Sequence, residues 1–323
     1  MKAILFARYG SPDVLELKEV EKPLPKDNQV LVRVHAASVN ALDRHTVRSS
    51  PLFVRVVSGN GLRKPKDQRL GVDLAGTVEA VGSMVTQFQP GDEVFGRGVG
   101  AFAEFACARE DALVLKPAST SFEAAAAVPV AALTALAALR DHGQVQPGQQ
   151  VLIQGASGGV GTFAVQLARV LGAEVTAVCS THNLEMARSL GADHVIDYTK
   201  ADVTRQRQRY DVILAINGYH SIFAYRRILS PTGRCVLVGA SASHLMSSLL
   251  QAMVFGRVMS RNGKQHFEFF VANPPQADLA WIAEQLEAGT VVPAIDRCYP
   301  LCESAEAMRS FERHAHGKIV ITA

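Results

Sequence analysis

A glycine-rich turn that joins a predicted strand to a predicted helix constrains the fold of this 323-residue chain more than any other feature. The apolar residues 151–154 predict the strand, and residues 159–171 predict the helix. Gly155 and Gly158 permit a tight turn and the close approach of backbone to a pyrophosphate, while Gly161 permits close helix–strand packing. The helix N-terminus offers free N–H groups to phosphate. The turn therefore predicts a dinucleotide-binding βαβ unit; the alternative is a glycine turn without a ligand.

Strands and helices alternate after this turn. Further strands are predicted at 174–179, 194–198, 211–216 and 234–238, and a helix at 184–190. This alternation predicts a parallel sheet covered by helices. Residues 1–115 instead contain short β-branched runs between glycines, with an alternating strand at 30–36, which favours a small barrel. Helices at 121–139 and 278–288 and a strand at 318–322 complete a chain long enough for two domains.

The residues after the second strand indicate which nucleotide the turn binds. An NAD-selective site needs Asp or Glu about 20 residues after the glycine turn, to hold the ribose 2′-OH. Here the strand at 174–179 runs into Ser180, Thr181, His182 and Asn183, none of which is acidic. Small hydroxyls and an imidazole suit a 2′-phosphate, so the sequence predicts NADPH. A polar helix cap at Ser180 or Thr181 is the alternative, and both roles can coexist.

Several short motifs, in order along nearly the whole chain, resemble those of the medium-chain dehydrogenase/reductase superfamily. They are AASVN at 36–40, GVDLAG at 71–76, GDEV at 91–94, AAVP at 126–129 with LTA at 133–135, the glycine turn, GADHVIDY at 191–198 and GKIV at 317–320. The chain is most similar to the zinc-free quinone oxidoreductase (zeta-crystallin-like) branch. The resemblance implies an α/β protein with a GroES-like β-barrel catalytic domain over residues 1–120, completed by about residues 290–323. A Rossmann domain with a doubly wound parallel sheet would span residues 121–289, and the protein would be a homodimer.

The same resemblance implies a set of cofactor-binding residues. They are Thr134, Gly155, Ala156, Ser157, Gly158, Gly159, Val160, Gly161, Ser180, Thr181, His182, Asn183, Tyr198, Asn217, Gly239, Ala240, Ser241, Phe269, Phe270, Val271 and Lys318. Residues 180–183 and Tyr198 match positions at the 2′-phosphate end of the cofactor. Asn217, residues 239–241 and residues 269–271 match positions on the nicotinamide side, and Lys318 matches a C-terminal cofactor contact.

The residues at the zinc-ligand positions of related alcohol dehydrogenases predict that no metal is bound. Those enzymes hold the catalytic metal through a Cys, a His-Glu pair and a second Cys. The matching positions here are Asn40, Val72-Asp73 and residues 128–135, which contain no Cys. Zn²⁺ needs three N, S or O ligands from protein, and only Asp73 could serve. The four-Cys structural lobe is missing as well, since its region contains Cys107 alone.

Without a metal, hydride transfer favours acceptors that delocalise charge. The predicted reaction is therefore NADPH-dependent reduction of a small-molecule electrophile, a quinone or another conjugated carbonyl such as an enone or alkenal. The candidate catalytic residues are Asn40 and Asp43. Asn40 can donate a hydrogen bond to a developing oxyanion or orient the nicotinamide, and its alternative role is to cap a local turn. The alternative for Asp43 is structural, pairing with Arg44 or a backbone N–H.

Two other functions compete with this prediction. An enoyl-thioester reductase would resemble this chain but place a catalytic Tyr about a dozen residues after Asn40, and residues 48–53 contain none. A non-catalytic NADPH-binding sensor or scaffold would also keep the glycine turn. The segment 44–69, with seven basic residues and one acidic residue, predicts either a solvated loop or a basic lip that attracts anions.

Composition excludes several other classes. The net charge of +3, from 33 basic and 30 acidic residues, gives no reason to expect a nucleic-acid partner. The five cysteines are too scattered for a disulfide framework, which favours the reducing cytoplasm. The longest apolar stretch, residues 124–139, is shorter than the ~20 residues that span a bilayer, so no membrane span is predicted.

Overall fold

The chain forms two units, one built on antiparallel and one on parallel strands. A computed structural model describes residues 1–49, 64–240, 264–270, 275–313 and 316–323. The first unit consists of Met1–Leu133 and Pro274–Ala323, and the second of Thr134–Asn273.

Antiparallel strands dominate the first unit. Seven strands form one sheet in the order β14-β15-β3-β4-β5-β7, with β6 paired to β3, and β1 pairs with β2. The strands are β1 (Lys2–Phe6), β2 (Leu15–Glu19), β3 (Gln29–Ser38), β4 (Asp73–Val81), β5 (Glu93–Arg97), β6 (Phe105–Arg109), β7 (Leu113–Leu115), β14 (Ile295–Pro300) and β15 (Lys318–Thr322). The strand predicted at 30–36 is confirmed as part of β3. Val30, Val32 and Val34 are buried and Arg33 is exposed, but Leu31 is buried as well, so the alternation is incomplete.

The helices of the first unit include one predicted helix that is broken in two. They are α1 (Ala41–Arg48), α2 (Phe122–Ala126), α7 (Gln276–Glu287) and α8 (Ser304–Glu312), and α3 (Pro129–Leu136) begins in this unit and ends in the second. The helix predicted over residues 121–139 is divided between α2, α3 and a π-helical turn, Ala137–His142. Pro129 explains the break, because proline lacks an N–H and is tolerated only in the first turn of a helix.

In the described part of the second unit, parallel strands alternate with α-helices. Its six-stranded sheet has the order β10-β9-β8-β11-β12-β13. The elements are β8 (Gln150–Gln154), α4 (Gly159–Val170), β9 (Glu174–Cys179), α5 (Leu184–Ser189), β10 (His194–Asp197), β11 (Tyr210–Gly218), α6 (Ile222–Ile228), β12 (Leu229–Ala240) and β13 (His266–Phe269). The strand order reverses beside β8, which is where open α/β sheets bind ligands. The predicted Rossmann arrangement is confirmed.

The boundaries between the two units differ from the predicted ones. They fall at 133/134 and 273/274, rather than at 120/121 and 289/290. Packing explains both shifts, because α2 contacts β3 and β4 and α7 contacts β7. These helices therefore belong to the first unit.

Candidate active site and cofactor site

Buried polar side chains collect where three strands of the first unit meet. Ser38, at the end of β3, is the Cα partner of Asp73, the first residue of β4. On the other side of β3, β15 begins at Lys318, and the N–H of Val39 donates to the β15 backbone. Together with two residues around the start of α1, these side chains form a group that is at most 5% exposed. We name it the polar cluster: Ser38, Asn40, Asp43, Asp73 and Lys318.

Asp73 is the centre of the polar cluster. Its Oδ1 accepts the backbone N–H of Val130, in the first turn of α3, at 3.0 Å. Its Oδ2 accepts Ser38 Oγ at 2.9 Å and Asn40 Nδ2 at 2.8 Å, and lies 3.6 Å from Lys318 Nζ. Both oxygens of this fully buried carboxylate therefore have partners, as burial of a charge requires.

Lys318 places an ammonium group inside the cluster. Its Nζ donates to Asn40 Oδ1 at 2.7 Å and to the carbonyl of Val39 at 3.2 Å. Burial lowers the pKa of Lys318, and the charges of Asp73 and Asp43 oppose that shift. The contact of Lys318 with a cofactor, which the resemblance implies, stays a prediction. What the structure shows is an ammonium hydrogen-bonded to its own unit.

The hydrogen bonds of Asn40 determine how its amide is oriented. An ammonium can only donate and a carboxylate can only accept, so Oδ1 faces Lys318 and Nδ2 faces Asp73. The second amide hydrogen is directed at the carbonyl of Ser38, at 3.3 Å. Asn40 is also the N-cap residue of α1, in agreement with its predicted alternative role. Its donation to an oxyanion stays a prediction.

Asp43 bonds to backbone on both oxygens. Oδ2 accepts the N–H of Asn40 at 2.8 Å, and Oδ1 accepts the N–H of Gly71 at 3.2 Å. The predicted structural pairing with a backbone N–H is therefore confirmed. Burial, with a smaller contribution from the charge of Asp73, raises the pKa of Asp43 to about 7 against the effect of these hydrogen bonds.

The polar cluster does not fit a zinc ion. Of the zinc-ligand positions, Asn40 and Asp73 offer oxygens, but the Lys318 ammonium already faces both, so a second cation would meet a like charge. Zn²⁺ favours at least three thiolate, imidazole or carboxylate ligands. Across the described ranges, no three His, Cys, Asp and Glu side chains lie close enough together to share a metal ion.

The glycine turn of the second unit follows β8, as predicted. Gly155 has φ +76°, and a Cβ there would lie 2.6 Å from the carbonyl of Ile216. A Cβ on Gly161 would lie 2.1 Å from the carbonyl of Gly155, so close packing requires glycine there. A Cβ on Gly158 would have its nearest protein atom at 3.6 Å, an ordinary contact. Packing therefore explains two of the three glycines and leaves space beside the third.

The N-terminus of α4 is available to an anion. Gly158 is the N-cap residue, and no side chain caps the helix. The first intrahelical bond runs from the N–H of Thr162 to the carbonyl of Gly158 at 2.9 Å. The N–H groups of the three residues between them precede the repeating helical bonds and suit the pyrophosphate of a dinucleotide.

The four polar residues after β9 are not equivalent. Ser180 Oγ accepts Asn183 Nδ2 at 2.9 Å, and Asn183 is buried. Thr181 Oγ1 donates to Asp197 Oδ2 at 2.5 Å, while His182 is exposed. No carboxylate directly follows β9 in the sequence, and Asp197 is not among the cofactor residues predicted from it. The available signal was that parallel strands end at the same edge of a sheet, and Asp197 ends the neighbouring strand β10.

The other predicted cofactor residues lie at several places in the second unit. Tyr198 follows β10, is 50% exposed and meets the edge of Tyr219 with ring centres 6.3 Å apart. Asn217, near the end of β11, has an exposed side chain and φ +52°, a left-handed conformation that asparagine tolerates better than most residues. The Phe270 ring stacks on His142 at 4.1 Å.

Thr134 is half-buried on α3, and Phe269 ends β13, where it packs against a buried apolar cluster. Gly239 and Ala240 belong to the end of β12. Ser241 and Val271 lie outside the described residues.

The basic segment 44–69 is described only in part, since residues 50–63 lie outside the described ranges. Arg44 and Arg48 both pair with Glu312, and Arg69 pairs with Asp67 at 2.8 Å. At least three of the five described basic residues of this segment are therefore paired with carboxylates. The solvated loop and the basic lip both stay predictions.

Comparison with known proteins identifies the family. Residues 26–118 match a model described as an alcohol dehydrogenase GroES-like domain, and residues 190–321 match one described as a zinc-binding dehydrogenase. The chain belongs to the medium-chain dehydrogenase/reductase superfamily, in its quinone oxidoreductase branch. This membership makes it an oxidoreductase that uses a nicotinamide cofactor.

Individual relatives cover almost the whole chain. It is 33% identical to the mitochondrial NAD(P)H oxidoreductase RTN4IP1 of Mus musculus, over 99% of this chain and 89% of that protein. It is 30% identical to a quinone oxidoreductase of Sus scrofa, over 99% of this chain and 97% of the relative. The structure of the quinone oxidoreductase from Coxiella burnetii superposes with a TM-score of 0.85 at 28% identity, covering 100% of this chain and 99% of the other.

None of the helices in the described ranges has the length and apolar character needed to cross a membrane. The cytoplasmic location stays a prediction, since the mouse relative is named as mitochondrial.

Proposed function

We propose that this chain transfers hydride from NADPH to a quinone or another conjugated carbonyl compound without a metal ion. The observation that carries the proposal is the turn after β8, where Gly158 is open to a ligand and the N-terminus of α4 has no capping side chain. A pyrophosphate there would satisfy N–H groups that the helix cannot satisfy itself.

The choice of NADPH rests on the residues after β9. Because Asn183 donates to Ser180 Oγ, this bond does not use the hydroxyl hydrogen of Ser180, which can be donated to a phosphate. The exposed His182 ring adds a group that can donate a hydrogen bond to phosphate. Neither residue carries a negative charge, which suits a 2′-phosphate better than a bare ribose.

The choice of acceptor rests on the chemistry of the polar cluster. When bound, NADPH supplies a hydride from C4 of its nicotinamide ring. The cluster offers no Lewis acid, because its single fixed cation, Lys318, is already bonded to Asn40 and close to Asp73. A conjugated acceptor needs less polarisation, since the incoming charge spreads over the conjugated system. A quinone takes the hydride and one proton from solvent to become a hydroquinone.

Asn40 would act on such an acceptor only by exchanging a hydrogen bond. Its bond to Asp73 is the shorter, at 2.8 Å, and its bond to the carbonyl of Ser38 is the longer, at 3.3 Å. The hydrogen directed at Ser38 is therefore the one that Asn40 could offer to a developing oxyanion. An Asn40→Ala variant with an unchanged turnover number would remove Asn40 from the reaction.

The test measures NADPH consumption with a benzoquinone, a naphthoquinone, an alkenal, an enoyl thioester and a saturated ketone. We expect turnover with quinones or alkenals, none with the ketone, no loss after treatment with a chelator, and no stoichiometric zinc in the purified protein. Preference for the enoyl thioester would replace the proposal with an enoyl reductase. Tight NADPH binding without turnover on any acceptor would replace it with a sensor. The small-molecule partner and the homodimer stay predictions.

A further inference from the structure

A carboxylate lies at the edge of the sheet where the ribose of a dinucleotide is proposed to bind. Asp197 ends β10, and the parallel register places it beside Cys179, the last residue of β9. Thr181, two residues after β9, donates its hydroxyl to Asp197 Oδ2 at 2.5 Å. The other oxygen, Oδ1, accepts the hydroxyl of Thr199 at 2.7 Å and its N–H at 2.9 Å.

These hydrogen bonds keep Asp197 charged and in place. The hydroxyl of Thr181, followed by that of Thr199, lowers the pKa of Asp197 to about 2, so the carboxylate is ionised throughout the neutral range. Its side chain is only 9% exposed, which limits reorientation. The nearest cation, Lys200 Nζ, lies 3.6 Å away on a side chain that is 69% exposed, so solvent weakens its effect.

The charge has two consequences for a 2′-phosphate. Thr181 has a single hydroxyl hydrogen and directs it at Asp197, so Thr181 cannot donate it to a phosphate at the same time. The phosphate would also place roughly two negative charges near the negative charge of the Asp197 carboxylate. A ribose 2′-OH carries no charge and avoids the repulsion.

We propose that Asp197 is a determinant of nucleotide selectivity, and that its carboxylate narrows the preference of this site for NADPH over NADH. The inference rests on the proposed function, because it concerns the site in which a nicotinamide cofactor would bind. It assigns selectivity to the end of β10 as well as to residues 180–183 after β9. Ser180 and His182 favour the phosphate, and Asp197 opposes it.

The experiment compares the dissociation constants of NADPH and NADH for the wild type, Asp197→Asn and Asp193→Asn. Binding is measured from the fluorescence of the reduced nicotinamide. Asparagine keeps the shape, accepts from Thr199, and can donate to Thr181 Oγ1, which releases the hydroxyl hydrogen of Thr181. Asp193 immediately precedes β10, where it accepts the N–H of Val175 at 2.8 Å. Asp193→Asn therefore removes the same charge at the opposite end of the same strand.

We expect Asp197→Asn to bind NADPH roughly three- to tenfold more tightly while NADH binding stays within about twofold. The gain should shrink as salt is added, because the repulsion crosses a solvated edge. Asp193→Asn should leave the ratio of the NADPH and NADH dissociation constants unchanged. If Asp197→Asn does not fold, Asp197→Ser provides a second neutral polar side chain at this position.

The outcomes separate this inference from the proposed function. An unchanged ratio in Asp197→Asn, or weaker NADPH binding, would overturn the role of Asp197 and leave the cofactor assignment intact. An equal change in Asp193→Asn would show a general charge effect and would also overturn it. If wild type and variants bind neither nucleotide, the proposed function itself fails.

Discussion

Removing the ammonium group from the polar cluster provides a direct test of how the first unit is held together. Lys318 is 3% exposed, and its Nζ bonds to Asn40 Oδ1 and to the carbonyl of Val39. In Lys318→Met, which keeps the length of the side chain, both acceptors lose a charged donor. Asp73, with 0% exposure, loses the cation 3.6 Å away.

Removing one partner of a buried ion pair typically lowers the free energy of unfolding by about 3–5 kcal/mol, since it leaves an uncompensated charge. Asp73 keeps its bonds from Ser38, Asn40 and Val130, which places the expected loss at the lower end, about 3 kcal/mol. The single tryptophan, Trp281, lies on α7 of the first unit, so its fluorescence during urea unfolding reports on this unit.

The matched control is the double variant Asp73→Asn/Lys318→Met, which removes both charges. If the loss arises from an unpaired carboxylate, the double variant should be about 2 kcal/mol more stable than the sum of the single changes predicts. A Lys318→Met protein within about 0.5 kcal/mol of wild type, or strictly additive changes, would refute the argument. Raised NADPH dissociation constants with unchanged stability would instead favour the cofactor contact that the resemblance implies.

Three further predictions concern the glycine turn, Asp43 and Tyr225. Gly158→Ala should fold normally but bind NADPH at least about tenfold more weakly. Gly161→Ala should also lose thermal stability, because its Cβ would lie 2.1 Å from a carbonyl oxygen. Calorimetry measures the change in stability and nucleotide titration measures the change in binding. Asp43 has an unfolded pKa near 3.8 and a folded pKa of about 7, so the folded state binds its proton more tightly and wild type loses stability as pH rises between these values. The stability of Asp43→Asn relative to wild type should therefore rise by about 4 kcal/mol across that window in urea unfolding, and a flat difference would contradict the assignment. Tyr225 donates its hydroxyl to Gln154 Oε1 and both side chains are buried, so Tyr225→Phe should cost about 1–3 kcal/mol in thermal unfolding followed by circular dichroism; no change would mean that the bond contributes nothing.

Local patterns in the sequence were sufficient to predict most of the strands and helices of the second unit that the structure describes. In that unit, the strand Glu174–Cys179 has the predicted bounds and α4 ends one residue before its prediction. In the first unit, the strand Lys318–Thr322 also has the predicted bounds. The glycine turn was identifiable because its strand, its helix and its second strand all lie within 30 residues of chain. Packing then confirmed that Gly155 and Gly161 must be glycine.

The sequence by itself determined the fold class, the dinucleotide turn and the loss of zinc ligands, because periodicity, turn residues and ligand types are properties of short segments. Only the tertiary structure decided which distant residues share a site. Lys318 lies 278 residues from Asn40 in the chain, yet it binds the Asn40 side chain because β15 pairs with β3. Asp197 lies 16 residues from Thr181 and reaches it because β9 and β10 end at the same edge. Strand pairing sets both contacts, and no local pattern in the sequence records which strands will pair.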